Sequence, residues 1–302
     1  MIKKYFVIAY KKGHRFLTSR GIRPYFLRFL NKKLIQYLKS DTVQMNGHTF
    51  YLDSVDSLRL STRGEYESFI TELFAKEVKE GDIVIDIGAN IGCHTLALAK
   101  LVGEKGKVYA FEPHPETFAL LKKNIEENGY TNVIAEQKAI SCKPGVIKLY
   151  LAKKNRTTTH SIVKNQYTQD SFFEVEAVAL DDYFKQRKES VVNFIKLDVE
   201  GAEHHVILGM RKLIQKNKIL KMITEFSPIR LQLLGIKPEE HLALLGEVGF
   251  NLRTINSEQR ILEDFDPKKV HTYLTNKYRN STCMDIFCYK EVPPKNIRNI
   301  LL

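Results

Sequence analysis

A glycine-rich turn that follows an acid is the feature of this sequence best suited to binding a ligand. Residues 84–92 read VIDIGANIG, so an apolar run that contains Asp86 leads into Gly88 and Gly92. Because glycine has no Cβ, such a turn lets backbone N–H groups and a helix N-terminus approach a ligand closely. The turn lacks the G-x-G-x-x-G spacing of a dinucleotide loop. Its acid suits a cationic or amine-bearing ligand, although a plain strand–turn–helix connection would give a similar pattern.

A second acid follows the next predicted strand. Residues 108–113 read VYAFEP, and Glu112 lies about 20 residues beyond the glycine turn, where a carboxylate can accept both hydroxyls of a ribose. In an open parallel sheet, ligands bind beyond the carboxyl ends of the strands. The two acids together therefore favour an adenosyl ligand that carries an amine, as S-adenosylmethionine does, over a solvated acid at a strand end.

Three further acids follow a later strand. Residues 194–203 read FIKLDVEGAE and contain Asp198, Glu200 and Glu203. A carboxylate at this position can act as a general base, which removes a hydroxyl proton while the oxygen attacks a methyl carbon, and we assign this role to Asp198 and Glu200. The same acids could instead hold a divalent cation, which we place below the base. We interpret Glu203 as a favourable charge at a helix N-terminus.

The elements that position these acids alternate between strands and helices. This alternation, with helices of about 10–15 residues, indicates βαβ units and a mostly parallel sheet. The predicted strands span residues 82–87, 107–111, 133–137, 146–151, 173–180, 193–197, 219–226 and 284–289, and the predicted helices span 64–79, 91–102, 115–128, 203–216 and 238–248. Residues 43–52 predict a hairpin around Asn46 and Gly47, and residues 157–170 predict a polar, functional loop.

Taken together, these motifs resemble the FkbM-type S-adenosylmethionine-dependent methyltransferases. The matching stretches are GEYE (64–67), the glycine turn (84–92), FEPHP (111–115), ALDDYF (179–184), IKLDVEGAE (195–203) and TEFSP (224–228). The resemblance implies a class I methyltransferase fold: a doubly wound, Rossmann-like α/β structure with a mostly parallel, seven-stranded sheet. It also implies S-adenosylmethionine as the cofactor and O-methylation of a hydroxyl on a sugar, a glycan or another small molecule.

Roles for particular residues follow from the motifs and the resemblance. Asp198 and Glu200 would lie near the reacting centre. The predicted cofactor-binding residues are Glu67, Asp86, Gly88, Ala89, Asn90, Gly92, Glu112, Pro113 and Ala139, and the predicted substrate contacts are His160, Ser161 and Glu225. Three of these have a plain alternative: Glu67 as an exposed helix acid, His160 as an ordinary loop histidine and Glu225 as a solvated acid at a strand end.

The positive charge is concentrated at the N-terminus. The formal net charge is +12, and residues 1–40 contain eleven Lys or Arg residues, no acid and several aromatic side chains. An amphipathic helix is predicted from Pro24, with Leu27, Leu30 and Leu34 on one face. Such an arm suits contact with an anionic membrane surface or packing against the domain, and we keep both interpretations. Binding to nucleic acid is a less favoured third.

Composition limits the remaining choices. With 43% hydrophobic and 27% charged residues the chain is ordinary for a globular protein, and we divide it into an arm with a hairpin (residues 1–60) and a methyltransferase domain (residues 61–302). Four cysteines without ligand spacing predict no metal site and a reducing, cytoplasmic setting, with peripheral membrane contact through the arm. Two other functions stay open: a nucleic-acid methyltransferase that uses the arm, and a cofactor-binding module without turnover.

Overall fold

The computed structural model describes residues 40–152, 160–162, 164, 168–187, 191–266 and 283–290. The chain divides into two compact units, Met1–Tyr66 and Glu67–Leu302. The amphipathic helix predicted in the basic arm lies outside the described residues, as do residues 153–159, 163 and 165–167 in and beside the predicted polar loop. Every helix among the described residues is too short or too polar to cross a bilayer.

The first unit contains the predicted hairpin. Strands β1 (Thr42–Met45) and β2 (His48–Tyr51) pair in antiparallel register, and helix α1 (Leu60–Arg63) follows. Asn46 and Gly47 have φ angles of 52° and 83°, and a type I′ turn requires positive φ at both central positions. The hairpin prediction is therefore confirmed, and both φ angles fit a type I′ turn.

The second unit contains eleven strands and eight helices among its described residues. The strands are β3 (Ile83–Ile87), β4 (Lys107–Phe111), β5 (Val133–Glu136), β6 (Ala139–Ile140), β7 (Gly145–Ala152), β8 (Thr168–Val178), β9 (Phe194–Leu197), β10 (Lys221–Phe226), β11 (Asn251–Asn256), β12 (Ile261–Asp264) and β13 (Met284–Tyr289). The helices are α2 (Ser68–Glu77), α3 (Cys93–Val102), α4 (Pro115–Glu127), α5 (Leu180–Lys185), α6 (Glu203–Gly209), α7 (Arg211–Lys216), α8 (Pro228–Leu233) and α9 (Pro238–Glu247).

Eight strands form the main sheet in the order β12-β11-β13-β10-β9-β3-β4-β5. The run from β10 to β5 is parallel, whereas β13 is antiparallel to both β10 and β11. This order confirms the predicted mostly parallel, doubly wound sheet. It has one strand more than the predicted seven, because a turn at residues 257–260 brings β12 back antiparallel to β11 and extends the edge.

Three element predictions need correction. The strand predicted at residues 173–180 is β8 (Thr168–Val178), which forms a second sheet in the order β6-β8-β7, and Leu180 already begins α5. The polar loop predicted at residues 157–170 is therefore shorter, because Thr168–Asp170 belongs to β8. The helix predicted at residues 203–216 is interrupted at Met210, whose φ of −124° is not helical.

The central strands bury side chains on both faces of the main sheet. Ile85 and Ile195 pack on one face, and Val84 and Phe194 pack on the other beneath α2 and α3. Successive residues of a strand point to opposite faces. Asp86 and Lys196, which are register partners, therefore occupy inward positions on the face of Val84 and Phe194, where apolar side chains would be expected.

Candidate active site

The carboxyl ends of three neighbouring strands meet at one edge of the main sheet. The Asp198 N–H donates to the carbonyl oxygen of Ile87 at 2.9 Å, and the N–H groups of Gly88 and Ala89 donate to the carbonyl oxygen of Phe111 at 2.9 and 3.0 Å. These bonds tie the ends of β9, β3 and β4 together. The acids that the sequence places after these strands therefore share one site.

Glycine is required in the bend that follows β3. Gly88 has φ +84°, and a Cβ added there would lie 1.8 Å from the carbonyl oxygen of Asp198. Gly92 has φ +96°, and its Cβ would lie 2.9 Å from Cδ1 of Leu121. Asn90, between them, also has a positive φ of 51°. Both glycines permit a left-handed backbone and a close packing that another residue would disturb.

Glu112 is held by the bend itself. One of its oxygens accepts the Asn90 N–H at 2.9 Å and the other accepts the His114 N–H at 2.9 Å. Burial raises the pKa of Glu112 to about 7, and these two hydrogen bonds oppose the rise. An ionised carboxylate has about four acceptor positions, so Glu112 keeps capacity for further hydroxyl donors. Pro113 joins it to the start of α4.

Asp86 connects β3 to α3. Its carboxylate is buried and accepts a hydrogen bond from the Thr95 hydroxyl at 2.6 Å. Burial raises the pKa of Asp86, and the charge of His94 and the Thr95 hydrogen bond oppose the rise. This bond fixes the first turns of α3 against the strand and thereby the shape of the bend.

Glu67 reaches the same helix from the N-terminus of α2. It has a φ of 39°, in the left-handed region, and its Oε2 lies 2.8 Å from Nε2 of His94. His94 is a residue of this site that the sequence does not predict. A histidine two residues after a glycine bend is the signal that was available, but nothing in the sequence links it to Glu67.

A buried lysine lies beneath Asp198. The Nζ of Lys196 donates to Oδ2 of Asp198 at 3.2 Å, and the Lys196 side chain is only 1% exposed whereas that of Asp198 is 28% exposed. Lys196 is not among the predicted site residues. The available signal is a charged residue inside the otherwise apolar strand β9.

The loop after β9 is held by its own helix. Glu200 and Gly201 have φ angles of 58° and 110°, so this loop has a left-handed backbone at two successive residues. Oε1 of Glu203, in the first turn of α6, accepts the N–H groups of Val199 and Gly201 at 3.1 and 3.2 Å. Glu203 thus fixes the loop as well as standing at a helix N-terminus, where its charge is favourable.

Arg230 of α8 forms ion pairs with both Glu200 and Glu225. Burial raises the pKa of Glu200 to about 8, and Arg230 opposes the rise. Burial and the charge of Asp198 raise the pKa of Glu225 well above its ordinary value, again against Arg230. Glu225 therefore does lie beside the loop after β9. Arg230 was not predicted, because nothing in its own sequence surroundings marks it.

An oxygen of each of Asp198, Glu203 and Glu225 lies within 4.8 Å of the other two, a spacing that a divalent cation could bridge. Each of the three also contacts donors within the chain. Asp198 pairs with Lys196, Glu225 pairs with Arg230, and Glu203 accepts two backbone N–H groups.

The predicted substrate contacts His160 and Ser161 each touch a different part of the site: His160 touches His114 and Ser161 touches the loop after β9. The His160 ring stacks on that of His114, with centroids 4.1 Å apart and planes 4° apart. Burial and the neighbouring His114 lower the pKa of His160 to about 4. The Ser161 hydroxyl donates to the carbonyl oxygen of Glu200 at 3.1 Å. The segment 160–162 therefore contacts the start of α4, two residues after Glu112, and the loop after β9.

Ala139 lies in the second sheet. It begins β6, pairs with Ala177 of β8 and belongs to a small apolar cluster with Leu149 and Val175. Its predicted contact with the cofactor stays a prediction.

The parallel sheet, with a glycine bend after β3, an acid after β4 and an acidic loop after β9, defines a class I S-adenosylmethionine-dependent methyltransferase. A sequence model described as Methyltransferase FkbM domain matches residues 86–252. The chain therefore belongs to the FkbM methyltransferase family, and S-adenosylmethionine is its cofactor.

Two curated relatives and one solved structure illustrate the similarity. Hexuronic acid methyltransferase AglP of Haloferax volcanii is 28% identical over 185 residues, which cover 61% of this chain and 69% of the relative. The 31-O-demethyl-FK506 methyltransferase FkbM of Streptomyces tacrolimicus is 27% identical over 202 residues, which cover 52% of this chain and 76% of the relative. An S-adenosylmethionine-dependent O-methyltransferase from Thermotoga maritima superposes with a TM-score of 0.41 at 17% identity, covering 84% of this chain and 79% of that chain.

Proposed function

We propose that this methyltransferase is an O-methyltransferase whose acceptor is a hydroxyl of a sugar, a glycan or another small molecule. The observation that carries the proposal is the set of carboxylates at the carboxyl ends of β9 and β10, where Asp198, Glu200 and Glu225 lie beside the bend. The names of the two relatives support it, since one is called a hexuronic acid methyltransferase and the other is named for an O-demethyl substrate.

The residues around the bend fit the cofactor. We assign its ribose hydroxyls to Glu112, which is fixed by two backbone N–H groups and keeps acceptor capacity. We assign the amine of its methionyl part to the acids Asp86 and Glu67. The backbone of residues 88–92 would line the cleft, and Pro113 and Ala139 would contact the adenine. When bound, S-adenosylmethionine supplies the methyl group that is transferred.

Asp198 is the proton acceptor in this proposal. Its carboxylate is the one beside the bend that is both partly exposed and hydrogen-bonded to a buried lysine. It takes the hydroxyl proton as the acceptor oxygen attacks. Glu200 and Glu225, held by Arg230, shape the acceptor side. Because the transfer is an in-line displacement, holding the acceptor oxygen in line contributes more to the rate than removing the proton.

The charge of the site favours a hydroxyl over a carboxylate as the methyl acceptor. A carboxylate is already anionic, needs no base and would be repelled by Asp198. A hydroxyl enters as a neutral group and must lose its proton, which is the step a carboxylate base assists. A uronic acid would therefore be methylated on a hydroxyl, as an ether, rather than on its carboxyl group, as an ester.

The test is a methyl-transfer assay that separates ethers from esters. The purified chain is incubated with methyl-labelled S-adenosylmethionine and a uronic-acid oligosaccharide, the matching neutral oligosaccharide, a polyol macrolide or RNA, and each product is treated with mild alkali. We expect alkali-stable label on a sugar or small molecule. Label that mild alkali releases, or label in RNA alone, would contradict the proposal.

Two variants complete the assay. Asp198→Asn should bind S-adenosylmethionine in a calorimeter with unchanged affinity while losing turnover. Asp264→Asn is the matched control, because its carboxyl lies on edge strand β12 and is 92% exposed. It should retain the activity of the unchanged chain. Full turnover by Asp198→Asn would remove Asp198 from the mechanism.

We further propose that residues 1–40 contact an anionic membrane surface. The support is the charge pattern, since eleven Lys or Arg residues with no acid are interleaved with aromatic side chains, and each basic residue near such a surface contributes about 1 kcal/mol. Co-sedimentation with vesicles of anionic and of neutral lipid tests this. Equal binding of the chain with and without these residues would end it.

A further inference from the structure

We infer that Lys196 is a positioning residue for methyl transfer, whose buried ammonium group holds the Asp198 carboxylate in place to accept the acceptor's proton. The inference rests on the proposed role of Asp198. It adds a residue to the mechanism that touches neither cofactor nor acceptor and acts through Asp198.

The burial of Lys196 is the first observation. Lysine is almost never fully buried unless it is paired, yet this side chain is 1% exposed in the middle of β9. It occupies an inward position on the face where Val84, Phe194 and Ile223 pack. Replacing a whole buried ion pair by well-packed apolar side chains is often neutral or stabilising. Stability alone therefore does not account for a lysine here.

The charges around Lys196 are the second observation. Asp198, the first residue after β9, lies at 3.2 Å, and Asp86 on β3 is the register partner of Lys196. The charges of Asp285 on β13 and Glu67 at the start of α2 also act on Lys196. Burial by itself lowers the pKa of Lys196, but the carboxylates Asp198, Asp285 and Glu67 outweigh it and the pKa is raised. The ammonium group therefore stays charged at neutral pH.

The surroundings of Asp198 show why it needs that cation. Three acids interact with the charge of Asp198: Glu200 in the loop, Glu203 in α6 and Glu225 in β10. Arg230 in α8 acts on Glu200 and Glu225. His94 of α3 faces the lysine side, where its charge acts on Asp285. Arg230 is engaged by Glu200 and Glu225. Lys196 is the cation that contacts Asp198 within the described chain, and because it binds Oδ2, we assign proton acceptance to Oδ1.

The test compares Lys196→Met with a matched control, Lys221→Met. Lys221 begins the neighbouring strand β10 at the opposite edge of the sheet and pairs with Glu77 at 2.9 Å, so its removal also deletes a partly buried ion pair. Turnover of labelled methyl groups is measured from about pH 5 to pH 9, together with thermal unfolding and calorimetric affinity for S-adenosylmethionine.

We expect Lys196→Met to lower kcat at pH 7 by about tenfold or more and to move the acid limb of the kcat profile to higher pH, because the cation beside the proton acceptor is lost. KM for the acceptor should change far less than kcat. Lys221→Met should lose stability but keep the acid limb. Lys196→Arg, which retains the charge, should restore the limb and part of kcat.

The inference is overturned if the acid limb of the kcat profile lies at the same pH in Lys196→Met and Lys221→Met. This holds even if kcat is lower in Lys196→Met, because a lysine with a merely structural role would give that result. If Lys196→Met does not fold, Lys196→Arg decides, and a shifted limb there overturns the inference. The proposed role of Asp198 fails separately, since Asp198→Asn with full turnover refutes that role, and the proposed function fails only if the label is alkali-labile or lies in RNA alone. An inactive Asp198→Asn beside an unshifted Lys196→Met refutes only the role of Lys196.

Discussion

Gly88→Ala tests whether the bend works through close packing of two strand ends. The added Cβ would lie 1.8 Å from the carbonyl oxygen of Asp198, whereas non-bonded heavy atoms settle near about 3.5 Å. The ends of β3 and β9 would therefore have to separate by roughly 1.5 Å. A left-handed φ costs an alanine about 1–2 kcal/mol, and overpacking costs about 1–3 kcal/mol. We expect a total loss of about 2–5 kcal/mol in the free energy of unfolding.

Gly81→Ala separates the two contributions. Gly81 has nearly the same φ, +87° against +84°, but nothing lies within 4 Å of a Cβ added there. Urea unfolding should give about 1–2 kcal/mol of destabilisation for Gly81→Ala, and the excess in Gly88→Ala measures the overlap with Asp198. Because a displacement of about 1 Å can cost about 100-fold in rate, Gly88→Ala should also lose turnover and S-adenosylmethionine affinity, whereas Gly81→Ala should keep both.

Equal urea midpoints with equal slopes, together with equal affinities for S-adenosylmethionine, would show that the close packing at Gly88 does not shape the bend. The contact of Gly88 with the Asp198 backbone would then have no energetic consequence. The bend would be a plain strand–turn–helix connection, which is the alternative that the sequence left open.

Three further predictions concern charged groups at the same edge. Glu112→Gln should weaken S-adenosylmethionine binding in a calorimeter by about tenfold or more, because an amide has one acceptor oxygen where the carboxylate holds two N–H groups, and exposed Glu116→Gln should not. Burial raises the pKa of Glu112 from 4.5 to about 7, so between these pH values the native protein holds a proton that the unfolded chain has released. The free energy of unfolding should therefore fall between about pH 4.5 and 7 by up to about 3 kcal/mol. Glu112→Gln should lack this fall. Arg230→Met leaves Glu200 and Glu225 facing each other without their cation and should destabilise the protein by about 3 kcal/mol. Arg211→Met removes an exposed pair with Glu247 and should cost less than about 1 kcal/mol. Equal losses would contradict a stabilising role of Arg230 between the two acids.

The sequence predicts most of the main sheet because its strands are buried on both sides. The bounds predicted for β4 and β13 match the structure residue for residue, since most of the residues in each run are apolar. By contrast, β11 was missed. Its sequence is NLRTIN, with Arg253 and two asparagines breaking the apolar run, and it is a strand because it pairs with β13 and β12. Tertiary pairing overrides local propensity in such segments.

The break at Met210 was equally beyond a local pattern. Residues 203–216 have helical periodicity throughout. Gly209, however, packs so closely on the residue after β6 that a Cβ there would lie 2.0 Å from the carbonyl oxygen of Ser141. That contact joins residues far apart in sequence. A periodicity that is summed over one helix carries no information about it.

The same distinction separates the acids of the candidate site from their cations. Asp86, Glu112 and Asp198 could be placed together from the sequence because a parallel sheet brings the carboxyl ends of its strands to one edge. Lys196 and Arg230 follow from no such rule. Lys196 lies within a strand whose pattern predicts an apolar side chain, and Arg230 reaches Glu200 and Glu225 only because α8 follows β10 at that edge. Carboxylates so close together repel one another, so their geometry depends on the cations between them. Where a sequence predicts converging acids, it therefore also predicts a buried lysine or arginine nearby.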